Sequence, residues 1–270
     1  LFTDRKNADL YKNDFIFSTI FTDIKQLKNK KYDLVIIDSY STRSIRIKAE
    51  IANGINYVGM FGYYNGPEVN RVLFNFHRLN QLLGYSKDEI EINSIAKCSL
   101  EVSSADKSVV LNSNLPTNYI AISLGGEWNY RTYNNWQYII EELIADNKNL
   151  NIVLLGSSNA TEITKKIKNK YHHPNIIDCV NQFTFNQTAE IINRAKILLC
   201  CDGGLMHAAN SVNTPIVALF AKLSSEMQLT EAITAFSMFD EYDVNNIKAE
   251  EVILNYKKLA KLVYSHHQDE

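Results

Sequence analysis

The stretch that decides the fold runs from Lys196 to Phe220 and reads KILLCCDGGLMHAANSVNTPIVALF. Its first six residues end in an apolar run without alternation, as expected of a strand covered on both faces. Asp202 ends that run. Gly203 and Gly204 then open a helix-like stretch, LMHAANSV, which gives way at Pro215 to a second strand-like run, PIVALF. Backbone N–H groups at a helix start, together with the positive end of the helix dipole, suit a phosphate. Glycine lets a ligand approach that backbone closely. His207 lies one turn into the helix and can point back to the same place. A satisfied, partly buried histidine and a simple glycine turn are the structural alternatives.

Outward from this stretch, short β-like runs alternate with amphipathic ones. Upstream lie the strand candidates YIAISL, NIVLLG and NIIDCV, separated by the helical stretches NNWQYIIEELIADN, NATEITKKIKNKY and FNQTAEIINRA. KAEEVILNYKKLAKLVYSHH closes the chain as a helix. Nearer the start, DFIFST, YDLVIID and INYVGMF read as strands. FTDIKQLKNKK, STRSIRIKAEIANG and PEVNRVLFNFHRLNQLLG read as helices, the last with Pro near its start and Gly at its end. Strict β/α alternation predicts parallel sheets with helices on both faces. The polar stretch LNSNLPTN separates two such series, so the expected division is residues 1–112 and 113–270. Ligands of open α/β sheets bind at the carboxyl ends of the strands.

Three further loops follow strands. GGEWNYR (Gly125 to Arg131) offers two glycines and a cation for an anionic group, or else a glycine turn with an exposed arginine. SSNATE offers Ser157, Ser158 or Asn159 as a cap for the next helix and Glu162 in its first turn; Glu162 can also accept from a ribose. In NQFTFNQ, Phe183 either flanks a planar base or plugs the core.

The chain has 270 residues, 46% of them hydrophobic, and a net charge of −2, a globular composition with room for two domains. No long basic block occurs, so nucleic acid is not an expected partner. The four cysteines, Cys98, Cys179, Cys200 and Cys201, contain no C-x-x-C pair. Cys200 and Cys201 are adjacent within an apolar run, where a mutual disulfide would be strained. All four are read as reduced thiols of a cytoplasmic protein, with no metal site. No segment approaches the roughly 18 apolar residues that span a membrane.

DGGLMHAANSVNTPIVALF resembles the signature of glycosyltransferase family 9, the ADP-heptose:lipopolysaccharide heptosyltransferases: Asp, a small residue, Gly, two residues, His, an Ala-rich helix, Pro and an apolar strand. AISLGGEWNYRTYNNW, VLLGSSNATE and VNQFTFNQTAEIINRAK follow the family's order and spacing, and KKYDLVIIDSYSTRS resembles part of its first domain. The resemblance implies a GT-B fold of two Rossmann-like domains facing across a cleft. It implies an acceptor-binding first domain and a second domain that binds a nucleotide sugar such as ADP-heptose. The implied reaction inverts the anomeric carbon without a metal or other cofactor; no Asp-x-Asp element occurs. The implied acceptor is the lipopolysaccharide core or a related glycan, reached by peripheral contact at the inner face of the inner membrane.

Carried over by position, Asp202, Gly203, Gly204 and His207 match the donor's diphosphate and sugar loop. Phe183 matches the contact to the base, and Glu162 lies near the ribose-contacting acid. Gly125 and Gly126 stand where hydroxyl residues often touch phosphate. Arg131 is the nearest match to the basic residue that steadies the diphosphate, although the usual Lys/Arg-x-Trp-Pro pattern is absent and reaching Trp136 needs a one-residue gap. The family's base is an aspartate in a Gly-Asp loop after the first strand. No Gly-Asp occurs in this sequence, which begins at Leu1 with polar LFTDRKNADLYKND. The expectation is therefore that the first strand and the base lie upstream of Leu1, leaving the catalytic residue unassigned. Asp38 is the best strand-end carboxylate of the acceptor domain, read as an ordinary loop contact. Two alternatives stand beside a heptosyltransferase: a catalytically silent nucleotide- or glycan-binding relative, and another GT-B enzyme, such as a nucleotide-sugar epimerase, using a different nucleotide sugar.

Overall fold

The computed structural model describes residues 1–37, 41–55, 57–59 and 70–265. The chain forms two compact units, Leu1–Lys97 and Cys98–Glu270.

In the first unit, α1 (Arg5–Tyr11) is capped by Asp4, which accepts from the Asn7 N–H at 2.8 Å. A parallel pair, β1 (Val35–Ile37) and β2 (Tyr57–Gly59), sets Val35 opposite Tyr57 and is joined through α2 (Thr42–Ile51). Then follow α3 (Arg71–Leu82), capped by Asn70, and α4 (Glu89–Ile95), opened by an Asp88/Glu91 capping box. Two expectations fail here. DFIFST forms no strand: Asp14 accepts from the N–H groups of Ile16 and Phe17 and folds the segment into turns, leaving only a Phe2–Phe21 bridge nearby. FTDIKQLKNKK contracts to one 3₁₀ turn, Ile24–Leu27, in which Leu27 alone is buried.

The second unit begins earlier than the expected joint at 112/113. Helix α5 (Ser104–Leu111) packs on α8 (Phe185–Arg194), and Val102 and Val110 are buried in this unit's core. Asp106 accepts from Ser103 Oγ at 2.7 Å and from Gln187 Nε2 at 3.1 Å, which ties α5 to the start of α8. The polar LNSNLPTN is thus a loop inside the unit.

Six strands form one parallel sheet: β3 (Ile120–Ser123), β4 (Ile152–Leu155), β5 (Ile176–Asp178), β6 (Leu198–Cys201), β7 (Ile216–Ala221) and β8 (Ala235–Asp240), in spatial order β5-β4-β3-β6-β7-β8. Registers place Ile120 opposite Ile152, Leu198 opposite Ile216 and Ile216 opposite Ala235. Alternate residues feed two cores. Ile120, Ile122, Leu154, Leu199 and Leu219 pack with α6 (Trp136–Asp146), α7 (Thr161–Lys170) and α11 (Ala249–Ser265). Ala121, Val153, Leu198, Cys200 and Ala218 pack with α5, α8 and α9 (Gly204–Val212). The apolar runs carry no alternation because both faces of the strands are covered. Helix α9 ends at Asn213, which takes the left-handed conformation (φ 58°) two residues before Pro215. A short helix, α10 (Ser225–Gln228), leads to the edge strand β8.

Candidate functional site

From the middle of the sheet, β3, β4 and β5 step outward in one direction and β6, β7 and β8 in the other. The chain leaving β3 and the chain leaving β6 therefore diverge. Their loops flank the topological switch point, where open α/β sheets hold ligands. GGEWNYR leaves β3 there and DGG leaves β6.

The first loop is built against its neighbours. Gly125 has φ +78°, a region that favours glycine. A Cβ on Gly126 would meet the Arg131 carbonyl oxygen at 2.6 Å and Thr132 Oγ1 at 2.9 Å, so the loop's own closure requires glycine at that position. Asn159 donates through Nδ2 to the Gly126 carbonyl at 2.8 Å while its Oδ1 accepts from Ser157 Oγ. Asn159 thus fastens the loop after β3 to the loop after β4. Ser157, Ser158 and Asn159 do not cap α7, contrary to expectation. A 3₁₀ turn, Ser158–Ala160, leads into the helix, and Ala160 is its N-cap without a side-chain bond.

The loop then turns through Asn129–Arg131 and directs the Arg131 guanidinium to Asp202, with Nη1 3.1 Å from Oδ2. The Asp202 side chain is 2% exposed and that of Arg131 is 20% exposed. The contact is an ion pair without hydrogen-bond alignment: Asp202 Oδ2 and Arg131 Nε are both buried and make no hydrogen bond. The Asp202 backbone N–H is taken by Leu219 O at 2.9 Å, so the carboxylate sits on a rigid strand end. The sequence named these two residues separately, and the sheet order joins them.

Beyond Asp202, Gly203 is extended (φ 169°), and the nearest atom to a Cβ built there is Cys201 O at 4.0 Å. The space before this backbone is open. Gly204 begins α9 and is exposed; a Cβ on it would meet Phe185 Cε2 at 3.5 Å. His207 is exposed on the first turn of α9, so the partly buried alternative is not realised. Met206, Ala208, Ala209 and Asn210 form the helix's buried side.

Phe183 is half-buried and packs against the second core, and Phe185, two residues on, is exposed beside Gly204. Thr184 between them caps α8 through a capping box with Gln187. Glu162 lies in the first turn of α7, exposed and paired with Lys165 at 2.9 Å. Hydrogen bonding and attraction from Lys165 hold its carboxyl below the usual range.

A cation and aromatic group that no contiguous motif in the sequence marks lies at the same edge. Lys222, the residue after β7, carries its Nζ 3.9 Å from the centroid of the Tyr130 ring. Arg131 Cζ lies 5.4 Å from that same ring, and the exposed Trp128 stacks on Tyr130 with centroids 6.4 Å apart.

This assembly of a glycine-opened helix start, a buried strand-end aspartate and a cation at the switch point has counterparts. The sequence matches, over residues 63–256, the profile of glycosyltransferase family 9 (heptosyltransferase). The chain belongs to glycosyltransferase family 9. It is accordingly a glycosyltransferase, and its α/β architecture is that of the GT-B heptosyltransferases. A family 9 glycosyl transferase from Veillonella parvula superposes with a TM-score of 0.78 at 14% identity, covering 96% of this chain and 86% of that one. The E. coli ADP-heptose lps heptosyltransferase II gives 0.72 at 16%, covering 98% and 89%. E. coli heptosyltransferase WaaC with ADP gives 0.70 at 14%, covering 96% and 87%. By sequence, no curated protein matches the chain.

In the family 9 chain's first unit, Arg5, Arg43 and Arg46 line an open pocket of about 490 Å³ with Thr22, Asp23, Thr42 and Glu50. Glu50 is paired with Lys28 at 2.9 Å and Asp23 caps the Ile24 turn, so both acids are already engaged. Asp38 lies outside the described residues. All four cysteines are free thiols. Burial pushes the Cys201 thiol up to about 12 and Cys179 to about 11. Among the described residues no cluster of three or more His, Cys, Asp or Glu could hold a metal, and no helix is long and apolar enough to cross a membrane.

Proposed function

We propose that this family 9 enzyme moves a heptose or related sugar from a nucleoside-diphosphate donor, with ADP-heptose the first candidate, to a lipopolysaccharide-core or related glycan acceptor. The donor's diphosphate rests on the N–H groups opening α9 at Gly203 and Gly204. Asp202 and His207 border the sugar, Glu162 reaches toward the ribose, and Phe183 with Phe185 flanks the base. The acceptor's hydroxyl oxygen attacks the anomeric carbon as the bond from that carbon to the diphosphate oxygen breaks, so one displacement inverts the centre. The hydroxyl proton passes to a base, and the nucleoside diphosphate leaves with the electron pair. Arg131 and the helix start stabilise that developing charge electrostatically, a contribution of about 3 kcal/mol where one such donor is removed from an enzyme. No metal takes part in this reading.

The acceptor lies on the first unit, where Arg5, Arg43 and Arg46 suit an acidic glycan. The reaction takes place in the cytoplasm, at the inner face of the inner membrane. The observation that carries the proposal is the Arg131–Asp202 pair beside an open glycine backbone at the switch point. Calorimetric titration with ADP-heptose and a panel of other nucleotide sugars tests it. Binding that is lost in Asp202→Ala and His207→Ala supports it, and binding of none of them by the wild-type protein refutes it.

A further inference from the structure

Three neighbouring strands, β3, β6 and β7, end side by side. Their carboxyl ends carry, in spatial order, Arg131, the Asp202-Gly203-Gly204 turn, and Lys222. Asp202 offsets part of the Arg131 charge. The remaining positive charge for a diphosphate at this edge comes from the partial charge of the helix start and from Lys222. No carboxylate of the described residues lies within ion-pairing distance of Lys222, which is exposed. Its backbone sits in the left-handed region (φ 67°), uncommon for a residue with a long side chain. That conformation ends β7 and lays the side chain over Tyr130, the ring that also meets Arg131. The two cations, touching one ring at 3.9 and 5.4 Å, are held within about 9 Å of each other on either side of the glycine turn. Tyr130 is half-buried against the core but the Lys222 ammonium above it is exposed, and such a contact is weak enough for the ammonium to exchange the ring for a phosphate oxygen.

We infer that Lys222 is the second cation of the donor's diphosphate site, and that Tyr130 is a positioning residue that holds Lys222 next to Arg131. This rests on the proposed donor site and adds to it a binding residue from β7. Lys222→Met, Lys222→Arg, Tyr130→Leu and Tyr130→Phe are titrated with ADP, UDP and GDP, and with the matching nucleosides, at two salt concentrations. The expected result is a loss of about tenfold or more in nucleoside-diphosphate affinity for Lys222→Met, the size of one charge-assisted hydrogen bond. Nucleoside affinity and melting temperature stay unchanged, and the salt dependence becomes shallower. Lys222→Arg restores affinity, and Tyr130→Phe keeps what Tyr130→Leu reduces. Diphosphate affinity of Lys222→Met within twofold of a wild-type protein that does bind overturns the inference and leaves the donor site standing. A wild-type protein that binds no nucleoside diphosphate overturns both.

Discussion

Removing Arg131 should do more to this protein than remove a contact to a ligand. Arg131→Met leaves the Asp202 carboxylate, 2% exposed, without its counter-charge. At 3.1 Å and an effective dielectric constant near 20, the gross attraction is about 5 kcal/mol. Desolvation offsets part of it, and breaking a buried pair by deleting one partner costs about 3–5 kcal/mol. Arg131 is one-fifth exposed, so water screens one side of the pair, and the lower end, about 3 kcal/mol, applies. Asp202→Asn removes the carboxylate and leaves a cation that water can reach, so the cost is that of one unsatisfied group, about 1–2 kcal/mol. The double variant no longer buries an unpaired charge, so it should be more stable than the sum of the singles by about 1.5–2 kcal/mol. Urea unfolding followed by tryptophan fluorescence measures this, because Trp128 and Trp136, the chain's two tryptophans, both lie in the second unit. Additivity within about 0.5 kcal/mol would refute the reasoning, since it would mean that the two charges do not feel one another.

Glycine at 126 should be structural and at 203 permissive. Gly126→Ala, driving a Cβ against the Arg131 carbonyl, should cost about 2 kcal/mol by thermal melting, while Gly203→Ser stays within about 0.5 kcal/mol. Reversing charge at Arg43 and Arg46 should raise the acceptor KM about tenfold or more and leave the donor KM unchanged, read from steady-state kinetics with each substrate varied. The raised thiols of Cys179, about 11, and Cys201, about 12, stay protonated in the fold at pH values where the unfolded chain, with its ordinary thiol near 9, has lost those protons. Stability is therefore fully present below pH 9 and falls as pH climbs toward 12, with the buried Tyr119 and Tyr256, also raised, acting in the same sense. A melting temperature that stays flat from pH 8 to 11 would contradict this.

The strands that read clearly from sequence, β3, β4, β6 and β7, have both faces buried, and a strand covered on both sides needs an apolar residue at every position. Strand β8 did not read that way: AFSMFD lies on the sheet edge, only Met238 is buried within it, and its mixed pattern hides it. The first unit was harder for the same reason, since its short elements bury few residues and local Asp caps outcompete apolar pattern, as at Asp14. The glycine turn after β6 was legible because its chemistry is contiguous in sequence. The partners of that turn were not. Arg131 meets Asp202 only because β3 lies beside β6, Lys222 meets Tyr130 only because β7 comes next, and Asn159 holds Gly126 only because β4 flanks β3. No spacing rule within one segment reports such neighbours.

The central claim is that a nucleoside diphosphate sits on the backbone opening α9. Backbone amide NMR of isotope-labelled protein, titrated with ADP, UDP and GDP, reads that directly. If the diphosphate sits there, at least one of them produces its largest, saturable shifts at the amides of Gly203, Gly204 and Leu205, with smaller shifts in the loop from Gly125 to Arg131. Saturable shifts confined to other parts of the chain, or none with any of the three, would contradict it.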